Sequence, residues 1–388
     1  MLSPQSGRSN LNTMKIAIDA RLFGPEGTGI GKYIERLLEN LEIIDEENEY
    51  FVVLRKANYP FYNPKKANFR KSVADVKWYS VGEQLLLPAV LLKIKPDLVH
   101  FPHFNVPLLY PGKFVVTIHD LITSQFNSAA TTHSVPIHLL KSLGYEMTVR
   151  SAAARAQRIL TPSKIVKNKV QKEFSLPENK LVTTYEAVDN IFLEAPNEKI
   201  SQGKERQLLA KYGIKKPFLL SVGSAYPHKN LTRLVEALPG LSKVNLVYVG
   251  SRNSFVDRLI EKARQFGVEK RLFVVGFVPQ DELVDLYKLA VCYVAPSLSE
   301  GFGLPALEAM AVGCPVAASN IEVFKEIYGE APIYFNPRKP EDIAEKISQV
   351  AESREQRAGL RKKGFEQVKK YSWKKMAEET LAVYEAAR

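Results

Sequence analysis

The sequence is poor in cysteine and has no apolar run long enough to cross a membrane. Its 388 residues include two cysteines, Cys292 and Cys314, in the apolar contexts "LAVCYVAP" and "AVGCPVAA". We interpret both as buried thiols in a reducing compartment, with a disulfide as the weaker alternative. No uncharged apolar run reaches the roughly 18 residues that a membrane helix needs. Residues 1–13 are polar and lack the apolar segment of a signal peptide, so we expect a disordered or tag-like tail and a cytoplasmic protein.

Several catalytic motifs are also missing. The sequence has no G-x-S-x-G, which a serine hydrolase would require, and no D-x-D or clustered His and Cys set, so we expect no bound metal. The glycine-rich stretch "GPEGTGIGKY" (24–33) fails as a P-loop because Glu26 and Tyr33 stand where Gly and Ser or Thr belong. Its glycines are also wrongly spaced for a dinucleotide fingerprint. A flexible turn at a helix N-terminus remains, suited to an anion or a glycosyl group.

The net charge of +12 favours anionic partners. The excess is spread over both halves of the chain, and its densest N-terminal stretches are "RKANYPFYNPKKANFRK" (55–71) and "KIVKNKVQK" (164–172). Each is either an ordinary solvated face or a surface for anionic lipid or nucleic acid. Because no nucleic-acid motif accompanies the charge, we expect no nucleic-acid partner.

Short apolar runs alternate with helical patterns twice along the chain, which predicts an α/β protein with two parallel, doubly wound sheets. We place an N-terminal domain at 14–195, a linker at 196–215 and a second domain at 216–371. The last segment, 372–388, has the apolar spacing of an amphipathic helix. In such folds a ligand binds at the carboxyl ends of the strands, here in a cleft between the domains.

The stretch "APSLSEGFGLPALEAMAVGCPV" (295–316) holds the richest set of polar groups. Pro305 is suited to the first position of a helix, and the amides of the preceding turn would then face an anion; they belong to Gly301, Phe302, Gly303 and Leu304. Glu300 and Glu308 flank that turn. Carboxylates beside a phosphate are useful when they accept hydrogen bonds from hydroxyls, and a sugar phosphate has both groups. Alternatively, Glu300 is a solvated turn residue and Glu308 a helix acid favoured by the dipole.

Two further stretches carry candidate site residues. In "SVGSAYPHKNL", a strand ends at Gly223, and Lys229 precedes Asn230, which we expect to cap the next helix and to place the lysine near a phosphate. In "VVTIHDLI", His119 and Asp120 close an apolar strand, a position typical of a cleft. His100 and His103 are equally compatible with a site and with the core.

Together, "GTGIGKYIERLLENL", "VVTIHDLI", "SVGSAYPHKNL", "VGFVPQDELVDLYKLA" and "SEGFGLPALEAMAVGCPV" resemble the retaining glycosyltransferases of family 4. The resemblance implies a GT-B fold: two facing Rossmann-like domains, an interdomain cleft, and a C-terminal helix that crosses back to the first domain. It implies that Glu308 binds ribose hydroxyls, Lys229 the diphosphate, and Glu300 the donor sugar, with His119 contacting that sugar from the N-terminal side. The implied catalytic residues are His119, Lys229 and Glu300. The implied donor-binding residues are Gly29, Gly31, Gly223, Ser224, His228, Lys229, Phe277, Val278, Glu300, Gly301, Phe302, Gly303, Leu304 and Glu308.

The chain departs from that pattern where many members carry arginine, because it has Ser224 and His228 there. The "DARLF…GIGKY" and "PHKN" segments resemble members that transfer mannose from GDP-mannose in O-antigen or capsule synthesis. We therefore expect a metal-independent hexosyltransferase without a cofactor, acting on a saccharide or lipid-linked acceptor. Its expected location is the cytoplasm or, as a peripheral protein, the inner face of the cell membrane. The alternatives are a UDP-sugar donor (glucose, GlcNAc or galactose), a nucleotide-sugar 2-epimerase, and a non-enzymatic protein that binds anionic surfaces.

Overall fold

Parallel strands alternate with helices in both halves of the chain, as the apolar pattern predicts. The computed structural model describes residues 13–24, 28–122, 135–195, 200–241 and 244–388. The described residues divide into two units, the first formed by those up to 121, by 135–184 and by 373–388, and the second by those from 185 to 372 together with residue 122. The division falls at Thr184, earlier than residue 195, because the residues after it already pack on the second unit.

The first unit is built on a seven-stranded parallel sheet with the order β3-β2-β1-β4-β5-β6-β7. The strands are β1 Lys15–Asp19, β2 Glu49–Leu54, β3 Phe69–Val73, β4 Leu98–Phe101, β5 Phe114–Thr117, β6 Arg158–Thr161 and β7 Leu181–Thr183. β4 and β5 are buried along their whole length, which explains their continuous apolar sequences. The strand order reverses between β1 and β4, so a cleft forms at the carboxyl ends of these two strands.

Five helices in the described part of the first unit cover this sheet: Thr28–Ile44, Glu83–Ile94, Val135–Arg155, Lys164–Phe174 and Trp373–Ala386. The basic stretch 164–172 becomes most of one helix, which Ser163 caps by accepting a hydrogen bond from the amide of Val166. The other basic stretch, 55–71, contains a turn of 3-10 helix at Tyr59–Phe61 and runs into the edge strand β3.

The C-terminal helix Trp373–Ala386 belongs to the first unit, where it packs on helix Thr28–Ile44. Tyr384 is buried in this contact, and its hydroxyl lies 2.7 Å from Nδ1 of His100. The other ring nitrogen of His100 lies 2.8 Å from Oγ1 of Thr117. His100 is therefore a core histidine that ties the last helix to the sheet.

We expect His100 to make stability fall on acidification. Burial, with a smaller effect from the charge of His119, lowers the pKa of His100 from its usual 6.5 to about 3. The folded state thus holds His100 neutral, whereas the unfolded chain takes up a proton as the pH drops below 6.5. The stabilising effect is complete above that pH and is lost toward pH 3, by up to about 1.4 kcal/mol per pH unit.

Urea unfolding at a series of pH values tests this expectation. His100→Gln keeps hydrogen-bonding groups at the site but cannot titrate, so its free energy of unfolding should fall less steeply with acidification than that of the wild type. His103, whose pKa burial also lowers to about 3, should leave a residual slope in the variant. Identical slopes in the two proteins would contradict the assignment.

The second unit contains a six-stranded parallel sheet with the order β10-β9-β8-β11-β12-β13. Its strands are β8 Phe218–Val222, β9 Asn245–Val249, β10 Leu272–Gly276, β11 Cys292–Ala295, β12 Val316–Ser319 and β13 Ile333–Phe335. Its α-helices in the described residues are Asn190–Leu193, Gln202–Tyr212, Leu231–Ala237, Ser254–Gln265, Gln280–Leu289, Leu304–Ala311, Glu322–Tyr328, Pro340–Glu352 and Arg354–Val368. Here the order reverses between β8 and β11. The predicted α/β class with two Rossmann-like parallel sheets is confirmed.

Two helices form in segments that have no apolar periodicity. Helix Gln202–Tyr212 occupies most of the predicted linker; Ser201 caps its start and Gly213 ends it in a left-handed conformation. Helix Arg354–Val368 has few buried positions. Both are strongly polar, so a serine cap, rather than an apolar stripe, marks where each begins: Ser201 for the first helix and Ser353 for the second. Cys292 and Cys314 are both buried, as expected. Over the described ranges, no helix is both long enough and apolar enough to cross a bilayer.

Candidate active site

A cleft opens in the second unit at the carboxyl ends of β8 and β11, where the strand order reverses. About 360 Å³ of space between protein atoms lies there, a figure that includes open solvent at the mouth. The polar side chains that line it come from β8 and β11, from the loops that follow them and from facing tyrosines; they are Ser221, Ser224, Lys229, Tyr248, Tyr293, Ser297, Glu300 and Tyr328. This is the position at which an open α/β sheet binds its ligand.

Lys229 and Glu300 meet in this cleft. Nζ of Lys229 lies 2.7 Å from Oε1 of Glu300, and the hydroxyl of Ser297 donates to the same carboxylate oxygen at 2.7 Å. The Glu300 side chain is only 11% exposed and that of Lys229 25%. The sequence placed these residues 71 positions apart, and the fold brings their charged groups into direct contact.

Asn230 holds the two loops together. Its side-chain amide donates to the carbonyl oxygens of Pro296 at 2.9 Å and Pro337 at 2.8 Å. The amide of Leu298 also donates to the carbonyl of His228, at 2.7 Å. The expectation that Asn230 caps the following helix is wrong: its side chain makes no capping bond there, and its backbone is left-handed at φ 57°. Asparagine tolerates that conformation, which turns its side chain to the neighbouring loop.

The turn before helix Leu304–Ala311 is shaped by Gly303 and Tyr328. Gly303 has φ 96°, and its carbonyl accepts a 2.7 Å hydrogen bond from the Tyr328 hydroxyl. Leu304 is the first residue of the helix, so the helix begins one residue earlier than predicted and Pro305 occupies its second position. The first amides of a helix have no intrahelical acceptor, so this end offers donors and a positive dipole.

Glu308 lies one turn into the same helix. Its Oε2 accepts a 3.1 Å hydrogen bond from the hydroxyl of Tyr287. Burial and the charge of Glu308 raise the pKa of Tyr287 well above its usual range, so the phenol remains a donor. Sequence reasoning missed Tyr287 because a tyrosine among the apolar positions of helix Gln280–Leu289 is indistinguishable from an ordinary core residue.

Comparison with known proteins decides the class. The family model described as "Glycosyl transferases group 1" matches residues 204–367, and the one described as "Glycosyltransferase Family 4" matches residues 28–190. The chain is therefore a glycosyltransferase with a family 4 domain followed by a group 1 domain. It is 26% identical to the O-antigen chain mannosyltransferase B of Escherichia coli over 380 residues, which are 92% of this chain and 96% of the relative.

Solved structures show the same GT-B fold for this glycosyltransferase. The sucrose-phosphate synthase of Thermosynechococcus elongatus superposes with a TM-score of 0.74 at 19% identity, covering 95% of this chain and 98% of the other. Anabaena HepE, solved in complex with UDP-glucose, superposes with a TM-score of 0.71 at 18% identity, covering 95% and 100%.

The other donor-binding residues predicted in the second unit of this glycosyltransferase are not all at the cleft. Ser224 lines the cleft, and the carbonyl of Gly223 accepts a 2.7 Å hydrogen bond from Tyr248. The His228 ring stacks on Tyr226 with the ring centres 6.0 Å apart. Phe277 and Val278 follow β10, which β9 separates from β8. Phe277 is 83% exposed and Val278 is buried, and neither is among the residues that line the cleft.

Gly301 and Phe302 are buried, whereas Gly303 and Leu304 are partly exposed. The Phe302 ring packs edge-on against Tyr371, with the centres 5.5 Å apart. The packing of Phe302 on Tyr371 thus fixes the turn to the core, and Gly303 and Leu304 are the residues of the turn that solvent reaches.

His119, Gly29 and Gly31 belong to the first unit. Nε2 of His119 lies 3.0 Å from the carbonyl oxygen of Pro102, and its ring contacts the Tyr33 ring edge-on. Gly29 and Gly31 lie inside helix Thr28–Ile44, so the expectation that both belong to a loop is wrong. A Cβ on Gly31 would stand 2.6 Å from the carbonyl oxygen of Gly24, whereas Gly29 has open space around it. Gly31 is therefore required by the close approach of two backbone segments.

The first unit has a cleft of its own at the β1/β4 reversal, and sequence analysis did not find it. Asp19, Arg21, Trp78, Tyr79, His103 and Asn105 line it. The buried Arg21 makes two 2.8 Å bonds to Asp19 and a 2.5 Å bond to Glu83, and Asn105 donates to both oxygens of Glu83 at 2.8 Å. Over the described residues, no group of three His, Cys, Asp or Glu side chains is arranged to hold a metal ion.

Proposed function

We propose that this glycosyltransferase moves mannose from GDP-mannose, with retention of anomeric configuration, to a saccharide or lipid-linked acceptor. The choice of mannose is supported by the O-antigen mannosyltransferase that the chain resembles over nearly its whole length. The rival is a UDP-sugar donor (glucose, GlcNAc or galactose), and it is favoured by the structural likeness to a protein that binds UDP-glucose. The observation that carries the transferase proposal is the contact between Lys229 and Glu300 in the cleft at the β8/β11 reversal.

Lys229 is proposed to bind the donor diphosphate. When the anomeric C–O bond breaks, the diphosphate gains negative charge, and fixed donors that face it lower the barrier. The ammonium of Lys229 and the first amides of helix Leu304–Ala311 are such donors. A phosphate that takes over Lys229 would release Glu300, which then accepts hydrogen bonds from hydroxyls of the sugar. In this scheme the charge is neutralised by the chain itself, and transfer proceeds without a metal.

Glu308 is proposed to accept hydrogen bonds from the ribose hydroxyls of the nucleotide. Its carboxylate is held by Tyr287, which is itself fixed in the core. Ser224 and His228 stand where many members of the family carry arginine, so Lys229 has fewer cationic partners than is typical. For His119 we retain the proposed contact with the donor sugar, on the strength of the family resemblance alone.

The proposed chemistry is a front-face displacement. The acceptor oxygen forms its bond to C1 on the face from which the diphosphate leaves, and the acceptor proton passes to the departing phosphate oxygen. In a double displacement, Glu300 would instead form a covalent bond to C1. A glycosyl adduct on Glu300, found by mass spectrometry of the trapped enzyme, would replace the front-face scheme.

A donor screen tests the proposed function. We expect GDP-mannose to raise the melting temperature more than UDP-glucose, UDP-GlcNAc or UDP-galactose does, because a ligand that binds only the folded state stabilises it. Glu308→Ala should abolish the shift. Transfer should survive a chelator, and donor incubated without acceptor should not be converted to another sugar nucleotide, which a 2-epimerase would do. A shift with UDP-sugars alone would overturn the GDP-mannose assignment, and salt-sensitive binding to anionic surfaces without any donor response would favour the non-enzymatic alternative.

A further inference from the structure

Helix Glu83–Ile94, with the sequence "EQLLLPAVLLKI", is apolar on both of its faces. Leu87, Pro88 and Leu91 point into the core of the first unit. Leu85, Leu86 and Leu92 lie away from that core and are each more than half exposed. Leu85 and Leu92 are two turns apart and lie in line along the helix, and Leu86 lies about 100° around it from Leu85, so the three cover a broad solvent-facing side. A surface helix normally keeps that side polar, so this one has an unpartnered apolar face.

The apolar face continues onto the neighbouring loops. The amide of Leu108 donates to Oε1 of Gln84 at 2.8 Å, which places the loop of Leu108 and Leu109 beside the helix. Val81, just before the helix, is 85% exposed, and Leu109 is 64% exposed. We call Val81, Leu85, Leu86, Leu92, Leu108 and Leu109 the leucine face. A cluster of exposed aliphatic side chains of this kind marks a surface that binds a partner.

The charges on the same segments are positive. Lys77, Lys93, Lys95 and Lys113 are exposed on the segments that carry the leucine face. The single carboxylate of the helix, Glu83, is fully buried and bound by Arg21. Of the nearby acids, Asp97 accepts a hydrogen bond from the amide of Lys15, and Asp75 lies 4.0 Å from Lys56.

We propose that the leucine face docks on an anionic lipid bilayer; the proposal rests on the lipid-linked acceptor of the proposed function. Val81 and the leucines would enter the boundary between headgroups and acyl chains, while the lysines contact lipid phosphates. A second copy of the chain fits less well, because the same lysines and the net charge of +12 would repel each other across the contact.

The position of the first-unit cleft agrees with a membrane as the partner. Trp78 and Tyr79 line that cleft three and two residues before Val81, and His103 and Asn105 line it just before Leu108. The two segments that form the leucine face therefore also supply aromatic and polar walls of a cleft. A saccharide carried by a lipid of the docked bilayer would enter next to its own anchor.

The basic stretch 55–71 is a weaker candidate for this role. Nζ of Lys71 bonds the carbonyl oxygens of Tyr59 at 3.2 Å and Tyr62 at 2.9 Å, and Lys66 pairs with Glu46 at 2.5 Å. Much of the positive charge of the stretch 55–71 is therefore already paired with oxygen atoms of the protein itself. In the stretch 164–172, Lys167 pairs with Glu178 at 3.3 Å. These cations lack the accompanying exposed leucines.

Vesicle co-sedimentation of the full chain, without donor, tests the proposal. We expect the wild type to bind vesicles containing phosphatidylglycerol and the double variant Leu85→Gln/Leu92→Gln to bind about tenfold more weakly or worse. Val81→Gln/Leu109→Gln, which changes only loop positions, should have a similar effect. Ile43→Gln removes an equally exposed aliphatic side chain of the same unit and should bind as the wild type does. The far-ultraviolet spectra of all variants should match the wild type.

Three results would overturn the proposal: vesicle binding that both double variants retain, binding that is lost only in Lys65→Gln/Lys66→Gln, or a wild-type dimer that ignores vesicles and dissociates in the leucine variants. Transfer assays keep this test separate from the proposed function. The double variants should retain transfer to a water-soluble saccharide and lose it to an acceptor embedded in vesicles. If the wild type transfers no sugar at all, the proposed function fails while the vesicle result stands by itself.

Discussion

Lys229→Ala should lower kcat/KM for sugar transfer by about 100- to 1000-fold, the range found when one fixed donor to a developing oxyanion is removed. The loss has two parts. The diphosphate loses the ammonium that faces it in the cleft. Glu300, which lies 2.7 Å from that ammonium in the donor-free enzyme, keeps a negative charge close to the phosphates with no cation beside it. Steady-state kinetics with the donor identified by the screen measures the effect.

Lys216→Ala is the matched control. Lys216 also pairs with a glutamate, Glu205, at 2.8 Å, but this pair lies on the surface and outside the cleft. The Lys216→Ala variant should keep nearly the wild-type kcat/KM, because Lys216 lies outside the cleft and the loss of an exposed ion pair also changes stability little. Lys229→Arg should recover part of the activity by restoring the charge with a different shape. A Lys229→Ala enzyme within about threefold of the wild type in kcat/KM would remove Lys229 from the mechanism.

Gly303→Ala should lower the free energy of unfolding by about 3 kcal/mol and abolish the donor-induced thermal shift. The backbone at φ 96° disfavours any side chain, and a Cβ there would stand 2.0 Å from the Tyr328 hydroxyl and 2.8 Å from Cε1 of Phe324. The turn must therefore move, and the first amides of helix Leu304–Ala311 move with it. Urea unfolding measures the first effect and the donor titration the second.

Gly359→Ala provides the comparison. Gly359 lies inside helix Arg354–Val368, and a Cβ there would meet open space. Alanine is the better helix former, so this variant should be as stable as the wild type or about 0.5–1 kcal/mol more stable. If Gly303→Ala behaved like Gly359→Ala and still bound donor, the turn would not have the shape or the role assigned to it.

The parallel sheets could be predicted because their central strands are buried on both faces and therefore have continuous apolar sequences. "FVVT" and "CYVA" are clear examples. The Lys229 and Glu300 loops could be predicted to meet because each follows a strand, and parallel strands end at one edge of a sheet. The polar helices Gln202–Tyr212 and Arg354–Val368 could not, since little of either is buried.

The supporting contacts of the site were beyond sequence reasoning. Tyr287 and Tyr328 are buried tyrosines on helices, and only the fold reveals that their hydroxyls reach Glu308 and the carbonyl of Gly303. Asn230 has the composition of a helix cap but bonds two carbonyls of distant loops. The leucine face was hidden for a different reason: a helix that is apolar all round gives no indication of which side meets solvent.

A crystal structure with a bound nucleoside diphosphate tests the central claim most directly. The account predicts that the β-phosphate lies within hydrogen-bond distance of Nζ of Lys229 and of the amides at the start of helix Leu304–Ala311, with Glu300 released from the lysine. A diphosphate bound elsewhere, with Lys229 still paired to Glu300, would contradict it.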